Sequence, residues 1–198
     1  MSQISGLAAA KSEPLDRDEA WLAAIATGDR HAFDELYREY GPRIFRFSYR
    51  LIHDQTKAEE VTNDVMLEIW KHAANFEGRS SVSTWIFGIA RHRTLNAVRG
   101  KTLHLTTMDA AEHVADESTT AEIELDQATT GKALREALDR LSSEHREVIE
   151  LSFFHELSYK EIAEIANCPE NTVKTRMFHA KKRLEPILAT MVAAGTLS

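Results

Sequence analysis

Between Asp29 and Leu51 apolar side chains return every three or four residues, at Phe33, Leu36, Tyr37, Tyr40, Ile44, Phe47 and Leu51. Only a helix gathers a stripe of that period onto one buried face; a strand sends alternate residues to opposite sides. The same spacing recurs at Val61, Val65 and Ile69, around Trp85, Ile86, Ile89 and Leu95, and through Val148, Ile149 and Leu151 or Phe153. Alternating runs of Val, Ile and Thr are scarce, and only eight Gly and four Pro punctuate 198 residues. The expected fold class is all-α.

Caps and breakers divide the pattern. Asp29 can cap the first long helix, and Gly41-Pro42 should kink it or break it in two. Thr56 with Glu59 reads as a capping box opening the next helix, which carries Glu60, Asn63, Asp64 and Lys71 off its apolar face. "NFEGRSS" (75–81) reads as a loop, and a helix follows from about Val82 to Arg99. With a helix near Glu19–Ala26, this half forms a bundle of four or five helices. In the last third "KALREALDRL" (132–141) is amphipathic and Ser142 can cap its successor. Ser158 with Glu161 is a second capping box, and Pro169 stands just ahead of the final helix, where a missing N–H costs least.

Charge is segregated along the chain. The formal total is −7, and 105–131 alone holds seven acids (Asp109, Glu112, Asp116, Glu117, Glu122, Glu124, Asp126) with no Lys or Arg. That tract has no aromatic residue and too little apolar material to pack alone, so 102–131 reads as a flexible acidic linker. Two basic islands flank it. Arg79, Arg91, Arg93, Arg99 and Lys101 lie in 78–108, and Lys174, Arg176, Lys181, Lys182 and Arg183 lie in "NTVKTRMFHAKKRL" (171–184), each stretch free of acids. Two such surfaces suit a polyanion.

Composition sets further bounds. No apolar run approaches the roughly 20 residues of a membrane span, and "MSQISGLAAAKSEPLDRDE" lacks the pattern of a secretory signal, so a cytoplasmic protein without membrane insertion is expected. The single cysteine, Cys168, excludes an internal disulfide and fits a reducing compartment; it reads as a small buried residue or a redox handle. The nine His are scattered without His-x-x-x-His spacing, and neither a phosphate-cradling Gly loop nor a nucleophile elbow is present. No enzyme, metal or cofactor is expected.

A short helix, a turn around "NCPEN" and a longer basic helix form a helix-turn-helix pattern. Ile162, Ala163, Ile165, Val173 and Met177 can fix the angle between its helices. Lys174, Thr175, Phe178 and His179 share one side of the helical wheel and can reach base edges, although Phe178 also suits the core and His179 an ordinary surface site. Arg176, Lys181, Lys182 and Arg183 suit phosphates.

Together with this element, "AFDELYREYGPRIFRFSYRLIHD" (32–54), "KAEEVTNDVMLEIWKHAANFEG" (57–78) and "STWIFGIARHRTLNAVR" (83–99), in that order, resemble bacterial sigma factors of the extracytoplasmic-function (ECF) group of the sigma-70 family. The resemblance implies sigma region 2 at 17–101, the linker at 102–131 and sigma region 4 at 132–190. Region 2 binds core RNA polymerase and the −10 element, and region 4 reads the −35 element. It implies a promoter-specificity factor that acts in a stress or environmental response; the alternative is a stand-alone helix-turn-helix regulator. Glu60, Asn63, Asp64, Met66 and Trp70 match the helix that docks on the clamp of the polymerase's largest subunit, with Asn63-Asp64 standing where the family more often has Gln-Glu. Trp70 also reads as core. Phe76, Arg79, Ser80, Ser81 and His92 match the surface that traps an unstacked base of the melted non-template strand, and His92 stands where Asn is common. Arg91, Arg93, Asn96 and Arg99 line the same helix, with the arginines suited to the backbone, whereas Trp85 reads as core. In the family the linker follows the RNA exit path. An anti-sigma factor is a possible partner, and Thr62, beside Glu59 and Glu60, is a weak candidate for regulatory phosphorylation.

Overall fold

A computed structural model describes residues 16–105 and 135–193, with side chains described for 16–99 and 135–190. Residues 106–131 of the acidic linker lie outside the described residues. Among the described residues every regular element is helical: α1 (Arg17–Ala26), α2 (Arg30–Ile52), α3 (Gln55–His72), α4 (Val82–Leu105), a helical segment at 135–139, α5 (Ser143–Ile149), α6 (Tyr159–Ala166) and α7 (Glu170–Ala193). A 3₁₀ turn (Ala73–Asn75) follows α3, and a π-helical turn (Glu150–Phe154) continues α5.

Helix α2 is one unbroken helix of 23 residues, not two. Pro42 removes one donor, but Leu36, Tyr40, Ile44 and Phe47 are fully buried on both sides of it, and that burial outweighs the lost bond. Gly41 has a local reason: a Cβ there would stand 3.1 Å from the Tyr37 ring. Tyr37 itself, expected in the stripe, is exposed and donates a 3.3 Å hydrogen bond to the Asn63 side chain.

The start of α3 also differs from expectation. Asp54 caps it by accepting from the Lys57 N–H, so Thr56 falls inside the first turn, and Glu59 accepts from Gln55 instead of closing a box. The second box is present as expected: the Ser158 hydroxyl accepts from the Glu161 N–H, and Glu161 reaches back to the Ser158 N–H. Helix α4 extends about a turn and a half past Arg99, because one Gly costs only ~1 kcal/mol in a helix and no Pro follows.

The two halves share a continuous core. The first is α1–α4 around Leu36, Ile44, Phe47, Val65, Ile69 and Ile86; the second is the 135–139 segment with α5–α7 around Leu138, Val148, Ile162, Val173 and Met177. Helix α6 lies against α4, and α5 with its π-helical turn reaches α2. His155 is buried between Phe47 and Phe87, its ring centroid 4.3 Å from that of Phe87. Burial drives the His155 pKa down to about 3, and neither ring nitrogen has a hydrogen-bond partner among the described residues.

Arg146 stitches this junction together. Its guanidinium donates to the carbonyls of Leu138 (3.1 Å), Asp139 (2.9 Å) and Leu141 (3.4 Å), and to Arg50 O at the end of α2 (2.9 Å). It also donates to His53 Nε2. The carbonyls at the end of the 135–139 segment would otherwise be orphans, as at any helix C-terminus. One five-donor fork satisfies them and the end of α2 together.

Candidate functional site

Three surfaces hold the residues expected to act. The first is the outward side of α3. Its buried side takes Ala58, Val61, Thr62, Val65, Met66 and Ile69, leaving Glu59, Glu60, Asn63, Asp64, Leu67 and Lys71 exposed. Met66 is a correction: it is 2 % exposed and belongs to the core. Leu67, one residue on, is 49 % exposed and is the apolar member of this face. The helical step 60–64–67–71 places it on the same side as Glu60, Asp64 and Lys71. Trp70 is half-buried and packs edge-on against Phe33 at 5.2 Å, so it braces the face from behind. Thr62 is also a correction. Its hydroxyl is buried and donates to Ala58 O at 2.7 Å, so a kinase cannot reach it in the folded chain.

The second surface is α7. Its inward residues Val173, Met177, Ala180 and Leu184 are buried against α5 and α6, and Ile162 and Ile165 of α6 complete the packing. Lys174, Thr175, Phe178, His179, Lys181, Lys182 and Arg183 are all exposed. Phe178 is 61 % exposed, which settles its alternative: it is not core. Its ring meets that of His179 at 5.4 Å, and His179 in turn lies 6.2 Å from His145. Lys174 pairs with Glu170 at 2.8 Å and Lys181 sits over the Phe153 ring. Arg176 differs from the other cations, because it donates to Glu144 at 3.2 Å and ties α7 to α5. Cys168 is half-buried beside the turn.

The third surface is the 76–81 loop with the start of α4. Gly78 adopts φ +66° and turns the loop, a conformation that suits glycine. Phe76 packs edge-on against Trp85 at 5.6 Å. Trp85 is only half-buried; with Glu68, Ser80, Thr84, Gly88, Ile89 and His92 of the first half, and Glu164 and Ile165 of α6, it lines an open groove of about 390 Å³. Arg79 is exposed beside Glu77, and Arg99 is exposed. His92 and Asn96, one turn apart, approach to 3.4 Å. Arg93 donates to Glu68 at 2.7 Å.

Both halves match known families. Residues 36–103 match the model for Sigma-70 region 2, and residues 131–184 match Sigma-70, region 4. The ECF RNA polymerase sigma factor RpoE of Cereibacter sphaeroides is 32% identical over 181 residues, 87% of this chain and 97% of that protein. The chain belongs to the ECF group of sigma-70 family sigma factors. RNA polymerase sigma factor YlaC of Bacillus subtilis is 30% identical over 158 residues, 79% of this chain and 91% of YlaC. Among solved structures, the sigma factor RpoE of Bartonella quintana, crystallised with the anti-sigma factor NepR, superposes with a TM-score of 0.63 at 26% identity, covering 79% of this chain and 96% of that one. CnrH in complex with the cytosolic domain of CnrY shares the fold, with a TM-score of 0.66 at 20% identity over 88% of this chain and 99% of CnrH.

The sigma factor is thus a promoter-specificity protein, and a stand-alone regulator would leave the region 2 match without a reason. In it the helix-turn-helix half meets the region 2 half through acids. Glu147, 3 % exposed, accepts from the Arg91 guanidinium. Glu161 Oε1 accepts from the hydroxyls of Ser81 (2.8 Å) and Thr84 (3.1 Å), while its Oε2 is held by Ser158. Burial disfavours the charge on Glu161, but the Ser158 N–H and the hydroxyls of Ser158, Ser81 and Thr84 outweigh it and lower its pKa. Glu150 is fully buried 3.7 Å from the Arg50 Nε, and burial lifts its pKa to about 7. Sequence reasoning placed Ser81 and Arg91 on a nucleic-acid surface and missed these partners. No local pattern links residues 56 to 80 positions apart, and Glu161 was already accounted for as a cap.

Proposed function

We propose that this sigma factor engages core RNA polymerase through the exposed side of α3, with Glu60, Asn63 and Asp64 as polar contacts and Leu67 as the apolar anchor. Arg79, Ser80, Ser81, Arg91, His92, Arg93, Asn96 and Arg99, backed by Phe76, take the melted −10 strand. Lys174, Thr175, Phe178 and His179 read the −35 duplex, while Lys181, Lys182 and Arg183 hold its phosphates. In this reading region 2 spans 17–101, the linker 102–131 and region 4 132–190, and the protein works in the cytoplasm without catalysis of its own.

The observation that supports it best is the sorting of α7. Val173, Met177, Ala180 and Leu184 are turned into the helix-turn-helix core, and an exposed row of cations carries one exposed aromatic ring, Phe178. Such a row gives a helix in the major groove both base contacts and phosphate contacts. The acidic and amide groups on α3, around one exposed Leu, suit a basic partner helix. The solved structure of the Bartonella quintana RpoE with the anti-sigma factor NepR supports an anti-sigma partner for this chain as well.

In-vitro transcription with bacterial core polymerase on a randomised promoter library tests the reading. Selected promoters should share two elements at −35 and −10, and the free protein should bind the same duplexes weakly. Tight operator binding by the free protein, with no polymerase-dependent transcription, would refute it.

A further inference from the structure

We propose that Tyr37 is a positioning residue for the polymerase-binding face: from α2 it fixes the side chain of Asn63 on α3, so that the face offers a partner one amide donor among carboxylates. The inference rests on the assignment of the outward side of α3 to core polymerase. Tyr37 belongs to the apolar stripe of α2, yet it stays 39% exposed. Its phenol donates to Asn63 Oδ1 at 3.3 Å, across 26 positions of sequence. The ring has little freedom to leave this place. Phe33, one turn earlier, meets it edge-on at 6.4 Å and is itself met edge-on by Trp70 at 5.2 Å. Gly41, one turn later, leaves open the space the ring occupies, since a Cβ there would stand 3.1 Å from the Tyr37 Cε1. An aromatic row that starts on α3 and runs along α2 thus ends in a hydroxyl that returns to α3.

The consequence lies in the chemistry of the amide. An Asn that nothing holds can turn either way and offers a carbonyl as readily as an N–H2. With Oδ1 accepting from Tyr37, the N–H2 is the group left for a partner, and no other hydrogen bond claims it among the described residues. Glu59, Glu60 and Asp64 beside it are exposed and, as carboxylates, can only accept. The face therefore asks two things of the surface that meets it. The carboxylates call for cations, Arg before Lys, and Asn63 calls for a carbonyl or carboxylate oxygen set among them. A partner helix that presented only basic groups would meet the first demand and leave the amide unpaired. Fixing Asn63 before contact also removes its ordering from the cost of binding.

The test titrates fluorescently labelled full-length sigma factor with bacterial core polymerase and reads the affinity from anisotropy. The variants are Tyr37→Phe, Asn63→Ala, Asn63→Asp and the Tyr37→Phe/Asn63→Ala pair. Asn63→Ala should weaken binding about five-fold, the scale of one hydrogen bond, and Tyr37→Phe about three-fold. In the Asn63→Ala background Tyr37→Phe should cost nothing more, because no amide is left to hold. Asn63→Asp keeps the size and the bond to Tyr37 but turns an acceptor toward the partner's acceptor, so it should bind no better than Asn63→Ala. Tyr37→Phe keeps the ring and its packing and should melt with the wild type by circular dichroism, whereas a merely structural role would lower the melting temperature and leave binding unchanged. Equal losses from Tyr37→Phe with and without the Asn63 amide would show that Tyr37 touches polymerase by itself, and would overturn the inference. Unchanged affinity in Tyr37→Phe overturns it too, as does an Asn63→Asp variant that binds as tightly as the wild type. Leu67→Asp separates this inference from the reading beneath it. If Leu67→Asp weakens binding while the Tyr37 and Asn63 changes show no coupling, only the positioning role fails; if Leu67→Asp and the Asn63 variants all leave the affinity unchanged, the assignment of α3 to polymerase fails.

Discussion

Arg146→Met tests the central structural claim, that one buried guanidinium joins region 4 to region 2. The side chain is 9% exposed and donates to four main-chain carbonyls, three from 138–141 and one from Arg50. Methionine fills much of the space but donates nothing. Each orphaned buried acceptor costs about 1–3 kcal/mol, yet the four share one group and some will recruit water, so their costs do not add. Removing one partner from a buried charged network typically costs about 3–5 kcal/mol, and ~4 kcal/mol is the figure expected here. That is a large part of the ~5–15 kcal/mol that holds an ordinary domain. Arg146→Lys should recover only a fraction, because an ammonium cannot reach carbonyls on two sides in the fork's plane. Urea unfolding followed by circular dichroism, with hydrogen exchange of the Leu138 to Leu141 amides as a local probe, measures both. A loss below ~1 kcal/mol for Arg146→Met, or equal stability of the Lys and Met variants, would show that the carbonyls find other donors and that the reasoning is wrong.

Glu150→Gln probes the buried junction through pH. The Glu150 carboxyl faces Arg50, Arg146, Arg46 and Asp139, and burial holds its pKa at about 7, above the ordinary value of 4.5. Its contribution is therefore fully present below about 4.5 and is lost as pH rises through 7. His155, lowered to about 3 from 6.5, contributes above 6.5 and loses its contribution as pH falls. Between pH 6.5 and 8 the end of the Glu150 loss outweighs the end of the His155 gain that opposes it, so wild-type stability should drop by a fraction of about 1 kcal/mol in thermal melts, and Glu150→Gln should abolish that drop. Leu67→Asp should weaken core-polymerase binding at least ten-fold in a pull-down titration without changing the melting temperature, because Leu67 is exposed. Met66→Ala should do the reverse, costing about 2–5 kcal/mol of stability through a core cavity. Replacing Lys182 or Arg183 by Ala should lower the slope of log affinity against log salt by about 1 each for holoenzyme on promoter DNA, while Arg176→Ala, which breaks a tie to Glu144, should cost stability as well.

Periodicity and caps were enough to identify the helices, because both depend on neighbours a few residues apart. Val61, Val65 and Ile69 are buried as their spacing requires, and Ser158 with Glu161 starts α6 as the pattern says. The exposed cations of α7 were legible for the same reason: a helix with an apolar inner face leaves its other residues to solvent. Boundaries were less legible where two local signals compete. Asp54 outdid Thr56 as a cap, and burial on both sides of Pro42 kept α2 whole.

What only the tertiary structure decided is which way equivalent side chains face and which distant groups meet. Met66 and Leu67 are both apolar neighbours in one helix, and a single 100° step sends one to the core and the other to solvent. The pairing of Arg91 with Glu147, and of Ser81 with Glu161, joins residues separated by the whole acidic tract. No periodicity spans that distance. The sequence by itself determined two helical units with a basic surface on each, and the packing of α5 and α6 against α2 and α4 determined that Arg91, Ser81 and Thr84 meet the acids Glu147 and Glu161 of the other unit.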